Sequence, residues 1–156
     1  MKLLIVLPLL LLTNLATAVE PTKLKFEIYS GYFVSNKFEP QAATSFLAAH
    51  DQKQFDKVFG VAFVIGDQSR RLASDAFKSQ LVLSTIRRGM AFYTYQVTSV
   101  AEKDGIVHLH YKTTAKKNES ASFACPLIIS IPRGEYQAIE FHENNKFVKR
   151  LAIKKQ

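Results

Sequence analysis

The chain has one cysteine, Cys125, in 156 residues, so no disulfide can form within it. Its stability must come from packing and strand pairing. Motifs are equally scarce. There is no G-x-S-x-G elbow, no G-x-G-x-x-G loop, no P-loop and no H-E-x-x-H helix, which removes the common serine-hydrolase, dinucleotide, nucleoside-triphosphate and zinc-protease chemistries. Acidic residues number 13 against 21 basic ones, and the pair Asp51 and Asp56 lies among lysines on what reads as a surface helix. A carboxylate dyad has no candidate here. Cys125 lies among Phe123, Ala124, Pro126 and Leu127, neighbours that give a thiolate nothing to stabilise it. It reads as a small buried hydrophobe, and a cysteine nucleophile is not expected. No internal repeat or low-complexity tract is present, which leaves one globular domain as the simplest organisation.

What is there begins with an export signal. Lys2 forms a positive n-region, Leu3 to Leu12 an apolar stretch broken only by Pro8, and Ala16-Thr17-Ala18 a small-residue cleavage site. The apolar run meets Thr13 and Asn14 well before the roughly 20 residues needed to span a bilayer, so no transmembrane span is expected. No cysteine follows the run to take a lipid. The expected organisation is a signal peptide over 1–18 and a single β-rich domain over 19–156, exported to the periplasm or the medium. Removing Lys2 leaves 20 Lys and Arg against 13 Asp and Glu, a side-chain charge of +7 on the mature domain. Outside the cytoplasm such a charge meets acidic protein, anionic polymer or lipid, and nucleic acid is not expected as a partner. The charge is dispersed in doublets, Arg70-Arg71, Arg87-Arg88, Lys116-Lys117, Lys149-Arg150 and Lys154-Lys155, a pattern typical of solvated faces.

The pattern of elements is α+β. Leu24, Phe26 and Ile28 alternate with Lys25, Glu27 and Tyr29, a period of two that predicts a first strand, continued over Tyr32 to Val34 after Gly31. Gln41 to Phe59 is poor in β-branched residues and predicts one helix, or two broken near Asp51, where Asp51 and Gln54 have capping-box spacing. Ser69 to Ser79 predicts a further helical turn carrying Leu72 and Phe77. Strands follow over 81–86, 91–100, 106–114, 121–131, 135–142 and 146–153, each bounded by turn residues. Short connections predict a mainly antiparallel β meander, closed as a barrel or stacked as a sandwich, with one or two helices on the N-terminal side. Tyr93, Tyr95 and Val97 should share the core face of one strand, and Val107, Leu109 and Tyr111 that of the next. A two-residue turn at Asn144-Asn145 leaves Phe147 and Leu151 on the face opposite Phe141, so the last hairpin requires either two covered faces or a bulge.

Candidate sites are few. Arg87 and Arg88 precede Gly89 and are expected on an exposed turn where adjacent charges can meet a partner. Tyr93, Tyr95 and Tyr111 either belong to the core or line a cavity for a small molecule. His108 and His110 point the same way on a strand, the spacing of a β-sheet metal site, with His142, Glu140 or Glu143 as a third ligand. Lys112 occupies the same face, and the expectation is surface histidines with no metal and no cofactor.

Arg87-Arg88-Gly89, Tyr95-Gln96-Val97-Thr98-Ser99-Val100, Gly105-Ile106-Val107-His108-Leu109-His110-Tyr111 and Pro126-Leu127-Ile128-Ile129-Ser130-Ile131-Pro132-Arg133-Gly134 resemble the C-terminal domain of the PrcB type. The resemblance covers Ile86 to Tyr136, about a third of the chain, and rests on strand pattern. Where that family carries a Thr-Gly-Gly-Tyr-like turn, this chain has Met90-Ala91-Phe92-Tyr93-Thr94-Tyr95. The resemblance implies a small exported β-rich domain associated with a bacterial surface protease complex. The sequence therefore leads to an exported, non-enzymatic binding or accessory module that contacts an envelope protein, such as a protease complex, or an anionic polymer. A carrier with a tyrosine-lined cavity is the alternative, and an enzyme using His108, His110 or Cys125 comes third.

Overall fold

A computed structural model describes residues 20–62 and 70–153; residues 1–18, where a signal peptide is expected, and Lys154-Lys155 lie outside them. Eleven strands form among the described residues: β1 (Thr22–Lys23), β2 (Glu27–Tyr29), β3 (Tyr32–Val34), β4 (Thr44–Ala49), β5 (Phe59–Val61), β6 (Gln80–Gly89), β7 (Ala91–Lys103), β8 (Ile106–Lys117), β9 (Phe123–Pro132), β10 (Ala138–Glu143) and β11 (Lys146–Ala152). One short helix, α1 (Gln52–Asp56), and a 3-10 turn at Ala76–Lys78 accompany them. Strands dominate and most pairs are antiparallel. Among the described residues, no helix is long and apolar enough to cross a membrane.

The strands form a five-stranded sheet in the order β1-β7-β8-β10-β11, a four-stranded sheet in the order β2-β9-β6-β4 and a two-stranded ribbon of β3 and β5. Sheets of this kind stack rather than close, so the structure is a sandwich and not the barrel that the strand pattern left open. Nor is it a simple meander. Gly89, at φ +144°, lies where the chain passes from β6 in one sheet to β7 in the other, a conformation glycine takes without strain. The strand β9 returns to the first sheet, and β10 then joins β8 in parallel.

Between the two large sheets lie Leu81, Leu83, Val100, Val107, Leu109, Tyr111, Leu127, Ile129, Ile131, Ile139 and Phe141. A second core on the other face of the four-stranded sheet joins Val82, Ile86 and Ile128 to Tyr29, Val34, Phe55, Val58, Phe59 and Phe77. The central β6 is therefore buried on both faces: Leu81 through Ile86 are all inaccessible, Ser84 and Thr85 included, so its side chains do not alternate between apolar and polar.

The same double burial overturns the helix expected over Gln41 to Phe59. Its first half is β4, paired with β6 from Thr44↔Arg87 to Ala49↔Val82. Phe46 and Ala48 pack on the inter-sheet core while Leu47 and Ala49 meet the second core. Both faces are apolar, so the period of two vanishes and helix propensity misleads. The break at Asp51 is real: its carboxylate accepts from the Gln54 amide at 2.7 Å, and Gln54 Oε1 accepts from the His50 amide at 3.1 Å. Of the first predicted strand, Glu27–Tyr29 pairs as β2 with β9 and its continuation Tyr32–Val34 pairs as β3 with β5, while β1, just before it, pairs with β7. Crossing between sheets shifts the phase, and Tyr29 is buried while Ile28 is 44% exposed. The last hairpin resolves by a bulge at Phe141/His142. Asn144 and Asn145 both take positive φ, 50° and 66°, as a two-residue turn of the left-handed type requires. Lys146, Lys149 and Arg150 stand exposed along β11, the outermost strand of its sheet.

Candidate functional site

The register brings most of the sequence's candidates to one end of the sandwich. Arg87 faces Cys125 across β6 and β9, Gly89 faces Phe123, and Ala91 faces Lys117 across β7 and β8. Arg87 and Arg88 close strand β6 rather than occupying an exposed turn. The Arg87 guanidinium points between the sheets, pairs with Glu143 at 2.5 Å and lies 5.7 Å from the centre of the Tyr93 ring. Arg88 points the opposite way and donates to Ser45 Oγ at 2.6 Å, to the Phe38 carbonyl at 2.9 Å and to the Ala42 carbonyl at 3.2 Å. Both guanidinium groups are thus engaged by the fold itself. The doublet is not brought together as one binding surface.

Tyr95 and Tyr111 pack edge to face at 6.0 Å between ring centres. Tyr111 belongs to the inter-sheet core and Tyr95 packs against it. Burial pushes the Tyr111 hydroxyl up to about 12, with Thr85 beside it working the other way, and burial pushes Tyr95 higher still. Tyr95 donates to the Cys125 carbonyl at 2.8 Å, and the Tyr93 amide donates to Cys125 Sγ at 3.4 Å. Cys125 is 6% exposed. A bulky thiol reagent should leave it unlabelled in folded protein and react freely in denaturant, and rapid stoichiometric labelling of the native state would contradict this.

In front of this packed layer lies an exposed rim that the sequence reading did not single out. Met90 is 52% and Phe92 50% exposed, and Phe92 meets Phe123 edge to face at 5.8 Å. Lys116, Lys117 and Asn118 join the two rings around a pocket of about 300 Å³. Phe92 carried a sequence signal, since it sits on the outward phase of β7 with Thr94 and Gln96, where an aromatic has no core to enter.

A second cluster occupies the outer face of the five-stranded sheet. In-register pairing of β8 with β10 sets Glu140 beside His108 and His142 beside His110. Glu140 Oε2 lies 3.3 Å from His108 Nδ1 and 3.5 Å from His142 Nε2, and Glu140 Oε1 accepts from Arg150 at 3.2 Å. The His110 and His142 rings stack at 4.3 Å and 14°. Burial holds His110 below the usual imidazole range, and the neighbouring His142 and His108 act in the same direction. The chain matches no family model, no curated protein and no solved structure. A functional reading therefore rests on these two clusters and on the sequence.

Proposed function

We propose that the protein is an exported, non-enzymatic accessory domain that binds the acidic face of another envelope protein through the rim formed by Met90, Phe92, Phe123, Lys116 and Lys117. The observation that carries this reading is the exposed Phe92, packed on the half-buried Phe123 and set beside Lys116 and Lys117 at one end of the sandwich. Methionine and aromatic residues at the centre with charges at the margin is the composition of a protein interface. Large apolar side chains left half exposed and contiguous mark an interaction site more often than isolated ones do. The resemblance of Ile86 to Tyr136 to the PrcB type points the same way, towards association with a protease complex. The inter-sheet tyrosines support the core reading: Tyr111 is 2% exposed, and the packed pair favours the rim over the interior as the binding place.

The experiment is site-specific photocrosslinking in envelope preparations, with the crosslinker at position 92 and, as a control, at position 28 on the four-stranded sheet. A discrete protein adduct from position 92 alone is expected. It should fall at least about tenfold in a Lys116→Glu, Lys117→Glu variant and weaken as salt rises through about 0.1 M, where exposed charges are screened beyond about 10 Å. Equal adducts from both positions would overturn the proposal, as would cosedimentation with anionic phosphatidylglycerol vesicles without a protein adduct.

A further inference from the structure

We propose that His108, Glu140 and His142 bind one divalent transition-metal ion, zinc by the nature of the donors, on the outer face of the five-stranded sheet. Each of the three residues offers one ligand atom, and these atoms lie within 4.8 Å of one another. A tetrahedral zinc ion with bonds of about 2.0–2.1 Å sets its ligand atoms about 3.3 Å apart. Two of the three edges already meet that length, at 3.3 and 3.5 Å, both centred on Glu140 Oε2. The remaining edge, between the two imidazoles, is at most 4.8 Å, and His108, 28% exposed, has room to adjust it.

A second observation concerns the bonding of one of these atoms. His142 Nε2 is buried and has no hydrogen-bond partner among the described residues. A buried imidazole nitrogen without a partner is costly unless something takes its lone pair or its proton. A metal ion between His142 and Glu140 would do so.

The surroundings are those of a supported site. All three ligands stand on β8 and β10, two paired strands rather than loops, so the backbone fixes their spacing. Arg150 holds Glu140 Oε1 and turns Oε2 towards the imidazoles, the orienting role that outer partners play for ligating carboxylates. The stacked His110 ring sets the plane of His142. Imidazole with one carboxylate suits zinc and its transition-metal neighbours and not magnesium or calcium, which need oxygen donors. Three protein ligands leave a fourth position for water or for a donor from a partner. The guanidinium of Arg150 beside Glu140 weakens the field felt by a cation, so affinity should be moderate, in the micromolar range.

The test is calorimetric titration of the purified protein with zinc, alongside cobalt titration followed by its visible ligand-field absorption. One zinc per chain is expected, with a cobalt spectrum of low coordination number and no response to magnesium or calcium. Glu140→Gln and His142→Ala should each weaken binding at least about tenfold, whereas His50→Gln, far from this face, should leave it unchanged. Should either ligand variant fold poorly, His108→Asn at the more exposed position provides the same comparison. Absence of stoichiometric zinc binding would overturn the proposal. So would equal affinity in wild type and a folded Glu140→Gln variant, which would reduce the cluster to adventitious surface histidines.

Discussion

Phe141→Ala should lower the free energy of unfolding by about 3–5 kcal/mol, the largest loss expected from any single truncation in this domain. Phe141 is completely buried between the two large sheets, and its ring meets that of Phe46 edge to face at 4.9 Å. Removing it deletes contacts with both sheets at once, and strands fixed by their ladders can close only part of the hole. Since domains are usually stable by about 5–15 kcal/mol, the variant should stand near the threshold of unfolding. Denaturant titration measures the loss through the midpoint. Phe147→Ala on the neighbouring strand, where the ring is 58% exposed, is the control and should change stability by less than about 0.5 kcal/mol. Equal losses in the two variants would mean that the sheets are not packed as described.

Arg87→Ala should cost about 2–4 kcal/mol. Glu143 has a side chain only 7% exposed and takes the Arg87 guanidinium at 2.5 Å. Deleting the arginine leaves a largely buried carboxylate without its partner, and breaking such a pair is far more damaging than never having had it. The lower end of the range reflects the guanidinium itself, 34% exposed and so partly screened by solvent. An Arg87→Ala, Glu143→Gln double variant should recover part of the loss, because no unpaired charge then remains. A double-mutant cycle by chemical denaturation gives the coupling energy. A coupling near zero would mean that the pair is a surface contact and that the end of the sandwich is held by its aromatic packing alone.

Where the sequence was legible, one face was wet. The pairs Val107 with Leu109 and Tyr93 with Tyr95 alternate with polar residues because their sheet has solvent on its outer side, and the inward phase read from the pattern is the phase observed. The bulge at Phe141/His142 was foreshadowed by the conflict between a two-residue turn and the placing of Phe147. The strand β4 was not legible, since both of its faces carry apolar residues and the composition of the segment around it, 41–59, matches a helix. Pairing order was equally hidden: nothing local in 106–143 says that β10 will lie parallel to β8, because the choice is made by β9 packing in the other sheet.

The candidate sites divide along the same line. Two histidines at i and i+2 are visible in one strand, but only His108 enters the cluster; Glu140 and His142 come from β10 through that parallel register, and His110 stacks on His142 instead. Arg87 and Glu143, 56 positions apart, carry no mark of partnership in the sequence. Phe92 and Phe123 are each ordinary aromatics until the turn between the sheets places them side by side.

The exposed charges along β11 bear on how copies of this chain behave towards one another. An outermost strand presents a row of free amides and carbonyls on which another chain could grow a continuous sheet. Phe147 and Val148, 58% and 38% exposed, would favour such growth. Two copies meeting along this margin would each bring Lys146 and Lys149 to the seam, and crowded like charges oppose the approach. The basic margin thus works as a guard against fibril formation, and neutralising it should convert a dispersed protein into an aggregating one without altering its fold.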